Sequence, residues 1–282
     1  MLKRSSPLRV ALMCSSRAPG LDFLIEQDPH RGTLYQIVCC LSSHQGSAAE
    51  QEAGHAGIPF LIHSIHDYCR NQGSRVRDLR IRHEYDASTV ALLAPFHPDV
   101  IVLSSYLYIL TDPMLSFFPR RILNIHHSDL TLRNGTGSPR YTGLRSVRDA
   151  VFAGETETRA TVHVATESLD DGPLFLRSWP FPVSPLTRDA LACGAVDALK
   201  AYAYAHQEWM LRFAWGPLIA RSVELLATGR ADLAGHAASI DGVSGPFDLE
   251  RRQLDSGRHD YRLLAPVKTD FGRQLHPVKA IS

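Results

Sequence analysis

The chain has 282 residues, 44% hydrophobic and 21% charged, with a formal net charge of +1 at pH 7. That length suits one large domain, or one with an appendage, and the composition is that of an ordinary globular protein. The near-zero charge gives no electrostatic case for nucleic acid or a membrane surface, and no apolar run approaches a spanning length. The basic cluster at residues 75–82 is interrupted by Asp78 and followed by Glu84, so it reads as a solvated loop or helix face. Residues 1–7 are polar and basic, but the apolar stretch after them is too short for a secretory signal. The cytoplasm is the expected compartment. The five cysteines (Cys14, Cys39, Cys40, Cys69 and Cys193) lack metal-ligand spacing, and their odd number argues against a disulfide framework. No metal is expected.

In chain order, residues 9–14 (RVALMC) read as a buried strand, followed by a Ser/Gly/Pro turn at 15–20 and an apolar stretch, 21–25, that opens a helix. Residues 35–41 and 58–62 are two further strands. Residues 87–96 show helical spacing in Val90, Leu93 and Phe96. Residues 99–103 (DVIVL) form a β-branched run, expected of a parallel strand covered on both faces, and residues 122–126 form another. A helix over 143–152 and strands over 160–166 and 174–179 follow. Thr187 is the predicted N-cap of a long helix through 201–213. Gly216-Pro217 is expected to interrupt that helix, and Ile219, Val223 and Leu226 resume the period until Gly229. This alternation predicts an α/β fold: a mostly parallel, Rossmann-like sheet flanked by helices, with a C-terminal helix and an extension.

The chemistry concentrates in Asn124-Ile125-His126. On a strand alternate residues share a face, so Asn124 and His126 project together while Leu123 and Ile125 project oppositely. Both lie at the carboxyl end of a strand, where open parallel sheets gather ligands. An amide donor, an imidazole and a carboxylate from Ser168-Leu169-Asp170-Asp171-Gly172-Pro173 would suit moving an acyl group between nitrogens. Taken alone, Asn-x-His is polar alternation at a sheet rim and Asp-Asp-Gly-Pro is a turn. His163, in an alternating strand, reads as structural. Tyr202, Tyr204, Trp209, Phe213 and Trp215 read as helix packing, and Cys39-Cys40 as inert strand core.

Residues 121–128 (RILNIHHS) resemble the LNIHPS segment of the folate-dependent formyltransferases. That family includes the glycinamide ribonucleotide, methionyl-tRNA and sugar N-formyltransferases and the formyltetrahydrofolate hydrolases. Arg140-Tyr141-Thr142-Gly143-Leu144 looks like the following KYPGL turn, and residues 161–173 (TVHVATESLDDGP) resemble SVHFVTEELDGGP. Residues 226–230 (LATGR) and 239–242 (SIDG) are similar to the family's terminal helix and LDG strand. The likeness runs in order over residues 9–248, so we assign residues 1–248 to a catalytic domain and 249–282 to an extension or tail. Two catalytic segments with their flanking turns make a specific signal.

The resemblance implies a catalytic trio of Asn124, His126 and Asp170 and a donor, 10-formyltetrahydrofolate. Residues 105–110 (SYLYIL) correspond to the family's folate-holding GFMRIL. Leu107, Tyr108 and Leu110, with Ala165, Glu167 and Asp170 opposite, are expected to hold the donor. Arg17, Gly20, Tyr141 and Arg145 are expected around the acceptor, a small-molecule amine; a homodimer is compatible with this reading. Attack by the amine on the formyl carbon gives a tetrahedral intermediate that Asn124 and a protonated His126 would stabilise. Asp170 would favour the imidazolium and assist proton transfer. Two other functions stay open: a formyltetrahydrofolate hydrolase with water as acceptor, and a non-catalytic folate- or nucleotide-binding module.

The sequence also departs from the family. Cys14-Ser15-Ser16-Arg17-Ala18-Pro19-Gly20 stands where the glycinamide ribonucleotide enzymes have a Gly/Asn/Ser phosphate loop, and Pro19 removes one amide donor. His127 replaces a proline, Arg145 stands where the purine enzymes usually have histidine, and residues 132–139 look like an insertion beside the acceptor site. The regulatory domain typical of the hydrolases has no counterpart in the sequence, which favours transfer. The acceptor's identity is expected to be encoded in residues 15–20 and 132–139 and in Arg145.

Overall fold

The alternating apolar runs assemble into a nine-stranded sheet in the computed structural model, which describes residues 6–254 and 259–267. Its strands are β1 (Leu8–Cys14), β2 (Tyr35–Ser42), β3 (Phe60–Ile62), β4 (Val100–Leu103), β5 (Ile122–His126), β6 (Thr161–Val164), β7 (Leu174–Arg177), β8 (Phe247–Gln253) and β9 (His259–Pro266). They lie in the order β9-β8-β7-β6-β5-β4-β1-β2-β3. From β3 through β5 every pair is parallel. β6 is antiparallel to β5 and to β7, β8 is parallel to β7, and β9 turns back antiparallel. The expected mostly parallel α/β architecture is what the chain adopts.

Helices α1 (Leu21–Glu26), α2 (Ala49–His55), α3 (Ile65–Asn71), α4 (Leu79–Leu93), α5 (Asp112–Phe117), α6 (Ser146–Phe152), α7 (Leu186–Ala192) and α8 (Val196–Ala227) flank the sheet. Strand periodicity divides the core in two. Val10 and Leu12 join Leu21, Leu24 and the buried stripe of α8, including Met210, Trp215 and Leu218. Ala11 and Met13 face the other way, toward Leu93 of α4 and Met114 of α5. Covering both faces explains why β4 is apolar at every position.

Several sequence expectations are corrected. Gly216-Pro217 does not interrupt the long helix: α8 is one helix of 32 residues with Pro217 inside it. Proline removes one N–H but leaves the rest of the ladder, and the burial of Leu218, Ile219 and Val223 holds the following turns in place. Gly216 serves a different purpose, since a Cβ there would lie 2.4 Å from Cβ and Cγ of Phe23. Its absence lets α1 and α8 touch. α4 begins at Leu79, well before the periodic stretch, with Asp78 accepting from the Arg80 amide as its cap. The basic cluster is therefore not wholly solvated. Arg82 is buried and donates to the carbonyl of Ile109. The short helices α2, α3 and α5 carry too few apolar repeats to announce themselves.

The proposed boundary at residue 248 falls inside β8, where Phe247 pairs with Leu176 and Asp248 with Arg177. The Arg177 guanidinium reaches both Asp248 and Asp129, tying this strand to the loop after β5. Residues 249–253 and 259–266 thus continue the main sheet; residues 268–282 of the expected tail lie outside the described residues. Among the described residues no helix is long and apolar enough to cross a membrane.

Candidate active site

The chain leaves β1 toward β2 on one side, and β4 later pairs on the other side of β1. Loops leaving the carboxyl ends of β1 and β4 therefore diverge, which opens a crevice at this switch point. Hydrogen bonds hold the two loops in register at its base. The Ser15 amide donates to the Ser105 carbonyl at 3.2 Å, the Leu107 amide to Ser15 Oγ at 3.1 Å, and Ser104 Oγ to the Pro19 carbonyl at 2.7 Å. The far end of the loop is pinned by α4: Asp86 Oδ2 accepts from both the amide and the hydroxyl of Thr111, at 2.6 and 2.7 Å.

β5 and β6 supply the next wall. Their pairing sets Asn124 opposite His163 and His126 opposite Thr161, so Asn124, His126 and His163 share one face of the sheet. Asp170 arrives from the loop between β6 and β7, which folds back tightly on β6. A Cβ at Gly172 would sit 1.8 Å from the Val164 carbonyl oxygen, so only glycine fits this return. Asp170 itself has φ of 52° and is buried, with Oδ2 accepting the Gly143 amide at 2.7 Å. Its Oδ1 lies 3.5 Å from His126 Nδ1 and 3.8 Å from His163 Nε2. The three expected catalytic residues are brought together, and His163 joins them.

The hydrogen-bond network assigns the proton positions. A carbonyl oxygen can only accept, so His163 Nδ1, 3.1 Å from the Val164 carbonyl, carries the proton. In the neutral ring Nε2 is then an acceptor, and Asn124 must turn its NH2 toward it, at 3.0 Å. One N–H of the amide is used in this way, and the other has no partner among the described residues. Burial pushes the His163 imidazole below its ordinary range, with Asp170 opposing. Burial also holds His126 well below its ordinary value, with His127 and His163 adding to the effect. Desolvation therefore disfavours the protonated His126 that the resemblance invokes. His126 Nε2 is buried with no hydrogen-bond partner among the described residues.

These groups line a cavity of about 520 Å³. Of the residues expected to hold the donor, Leu107, Tyr108, Leu110, Ala165 and Asp170 line it, whereas Glu167 is exposed and outside it. Of those expected around the acceptor, Arg17 lines the cavity but Gly20, Tyr141 and Arg145 do not. Gly20 is instead packed against the backbone of Gly216. Tyr141 is buried with its hydroxyl on Glu155, and Arg145 is exposed. The apparent insertion forms a small turn that Arg133 ties to Asp171 at 2.5 Å. Gln207, Leu211 and Trp215 of α8 complete the lining; helical periodicity marks the latter two as core and gives no hint of a second role. His127 stacks on His126, with ring centroids 4.8 Å apart.

The sequence model described as "Formyl transferase" matches residues 8–190, almost the whole span from β1 through α7. The chain belongs to the folate-dependent formyltransferase family. A trifunctional purine biosynthetic protein adenosine-3 from Drosophila melanogaster is 30% identical over 179 residues, covering 63% of this chain and 12% of that protein. A formyltetrahydrofolate deformylase from Escherichia coli is 26% identical over 169 residues, covering 60% of this chain and 52% of the other. The chain thus spans about half or less of the length of these curated relatives. The solved phosphoribosylglycinamide formyltransferase of Coxiella burnetii superposes with a TM-score of 0.63 at 22% identity, over 85% of this chain and 96% of that one. A formyltetrahydrofolate deformylase from Pseudomonas syringae pv. tomato gives 0.60 at 22% identity, over 84% and 66%. At such identities the likeness is one of fold.

Proposed function

We propose that the protein is an N-formyltransferase that moves the formyl group of 10-formyltetrahydrofolate to the amine of a small molecule. One observation carries this reading: Asn124, His126 and Asp170 converge on a single cavity also bounded by the loop after β4. The cavity suits such a donor. Leu107, Ile109, Leu110 and Leu169 give apolar walls for flat rings, and the unpartnered His126 Nε2 awaits a polar atom. A bound donor would supply the activated formyl carbon.

The protein's own groups do the rest. The second N–H of Asn124 would donate to an oxygen gaining negative charge, a contribution of about 10²–10³ in turnover for one oriented donor. His126, neutral at rest, accepts the proton released by the attacking amine rather than lending a pre-existing charge. Asp170, held by Gly143, would then stabilise the imidazolium as it forms. A new C–N bond forms to the acceptor, the donor's C–N bond breaks, and the amine proton passes to the departing nitrogen.

Water in place of the amine would make the protein a hydrolase, in keeping with the names of the formyltetrahydrofolate deformylases it is similar to. Mass spectrometry for a formyl-mass gain across an amine panel, with formate measured in parallel, separates the two. We expect transfer, lost in Asn124→Ala, His126→Ala and Asp170→Ala. Near-normal turnover by the His126 variant would defeat the mechanism, and full-rate formate release without an amine would establish hydrolysis.

A further inference from the structure

The cavity extends beyond the trio to Ser16 and Arg17 in the loop after β1 and to Gln207 on α8. Arg17 is the one arginine among the described residues that line it, and no lysine lines it. That guanidinium is already engaged. Its Nη1 and Nη2 donate to the two carboxylate oxygens of Glu208 at 2.6 and 2.5 Å, a fork-on-carboxylate pair bridging the loop and the helix. Each partner strengthens the other's charge: Glu208 raises the Arg17 pKa, and Arg17 lowers that of Glu208. Two backbone positions of the loop offer nothing to an anion: the Ser15 amide is spent on Ser105 and Pro19 has none. α1 has only six residues.

Building on the formyl-transfer reading, we propose that the Arg17–Glu208 pair selects the acceptor: it admits an uncharged, hydroxyl- or amide-bearing amine and excludes phosphorylated ones. A phosphoryl group carries roughly two negative charges and needs several converging donors. To reach the fork of Arg17 it must displace Glu208 or settle beside that carboxylate. A hydroxyl or amide meets no such conflict. Glu208 takes two of the five guanidinium N–H donors, and the rest, with the Gln207 amide and the Ser16 hydroxyl, offer donors and acceptors without net charge.

The test is calorimetric titration of inorganic phosphate into the full chain at low salt, for wild type, Glu208→Gln and the Glu208→Gln/Arg17→Ala double variant. Both side chains are partly solvent-exposed, so the fold should tolerate the changes, and thermal melting checks this. We expect no saturable binding to wild type, affinity at least roughly tenfold tighter in Glu208→Gln, and loss of that gain in the double variant. Arg17-dependent phosphate binding by wild type, or no gain in Glu208→Gln, overturns the proposal. Transfer by wild type to the phosphate ester of a hydroxylated amine in preference to the parent amine overturns it too. Failure of the formyl-transfer reading would show separately, as no transfer to any amine, and leaves the phosphate titrations able to decide.

Discussion

His163 offers the sharpest probe of how the site is organised, because it orients Asn124. The Asn124–His163 bond spans 3.0 Å, and the Val164 carbonyl fixes which ring nitrogen accepts. In His163→Leu the amide loses the acceptor that holds its NH2 in place, and one ordinary hydrogen bond biases such an orientation by about 1 kcal/mol. Turnover should fall by between about tenfold and the 10²–10³ expected for complete loss of an oriented donor. A glutamine at this position can present Oε1 where Nε2 now accepts, so His163→Gln should recover much of the loss. The assay is steady-state turnover of 10-formyltetrahydrofolate with the accepted amine, kcat and KM being read separately. A group that acts only by aiming Asn124 lowers kcat and leaves the donor's KM nearly unchanged. Should His163→Leu keep a kcat within about threefold of wild type while melting normally, the orienting role assigned here is wrong.

Two further outcomes concern stability. Gly216→Ala would force a Cβ to within 2.4 Å of Phe23 Cβ and Cγ, next to the α1 backbone, where rotation cannot relieve the clash. We expect a loss of about 1–3 kcal/mol, several degrees in Tm, and an unchanged melting temperature would show that α1 yields freely. The second concerns His206, buried against Thr158 Oγ1 at 2.7 Å and pushed down to about 4 by burial. Its folded pKa lies below the unfolded value, so the unfolded chain takes up the proton first as the solution is acidified. The contribution is therefore complete above about pH 6.5 and is lost as the pH falls toward 4. The full shift corresponds to about 3 kcal/mol, which solvent screening reduces to about 1–2. Urea midpoints between pH 7 and 4 should fall in wild type and fall less in His206→Gln; identical profiles would contradict the assignment.

How far the site was legible depended on whether its signal was local. Asn124 and His126 share a strand face by simple alternation, and Asp170 sits in a turn of recognisable composition, so sequence reasoning found all three. His163 has the same alternation but no local mark of function; its role comes from lying directly across β5 from Asn124, a cross-strand register that no short window contains. Arg82 and Asp86 were hidden for a related reason. They break the apolar stripe of α4, and only their bonds to Ile109 and Thr111 explain why buried charges stand there. Glu208 carries no local mark of function either; only the fold brings Arg17 of the loop after β1 to it.

The order of apolar runs, their β-branched composition and the family motifs were enough to determine the α/β architecture and the formyltransferase family, since both are written in short-range periodicity and in contiguous segments. Tertiary structure alone lowered the pKa of His126, because desolvation depends on everything packed around the ring. It alone kept α8 continuous through Pro217 and carried the sheet across residue 248, both being consequences of burial against distant partners. Around the cavity, the loop after β1, the trio and α8 meet only when the sheet brings its strand ends together. Chemical selectivity at that meeting point therefore belongs to the fold rather than to any one stretch of sequence.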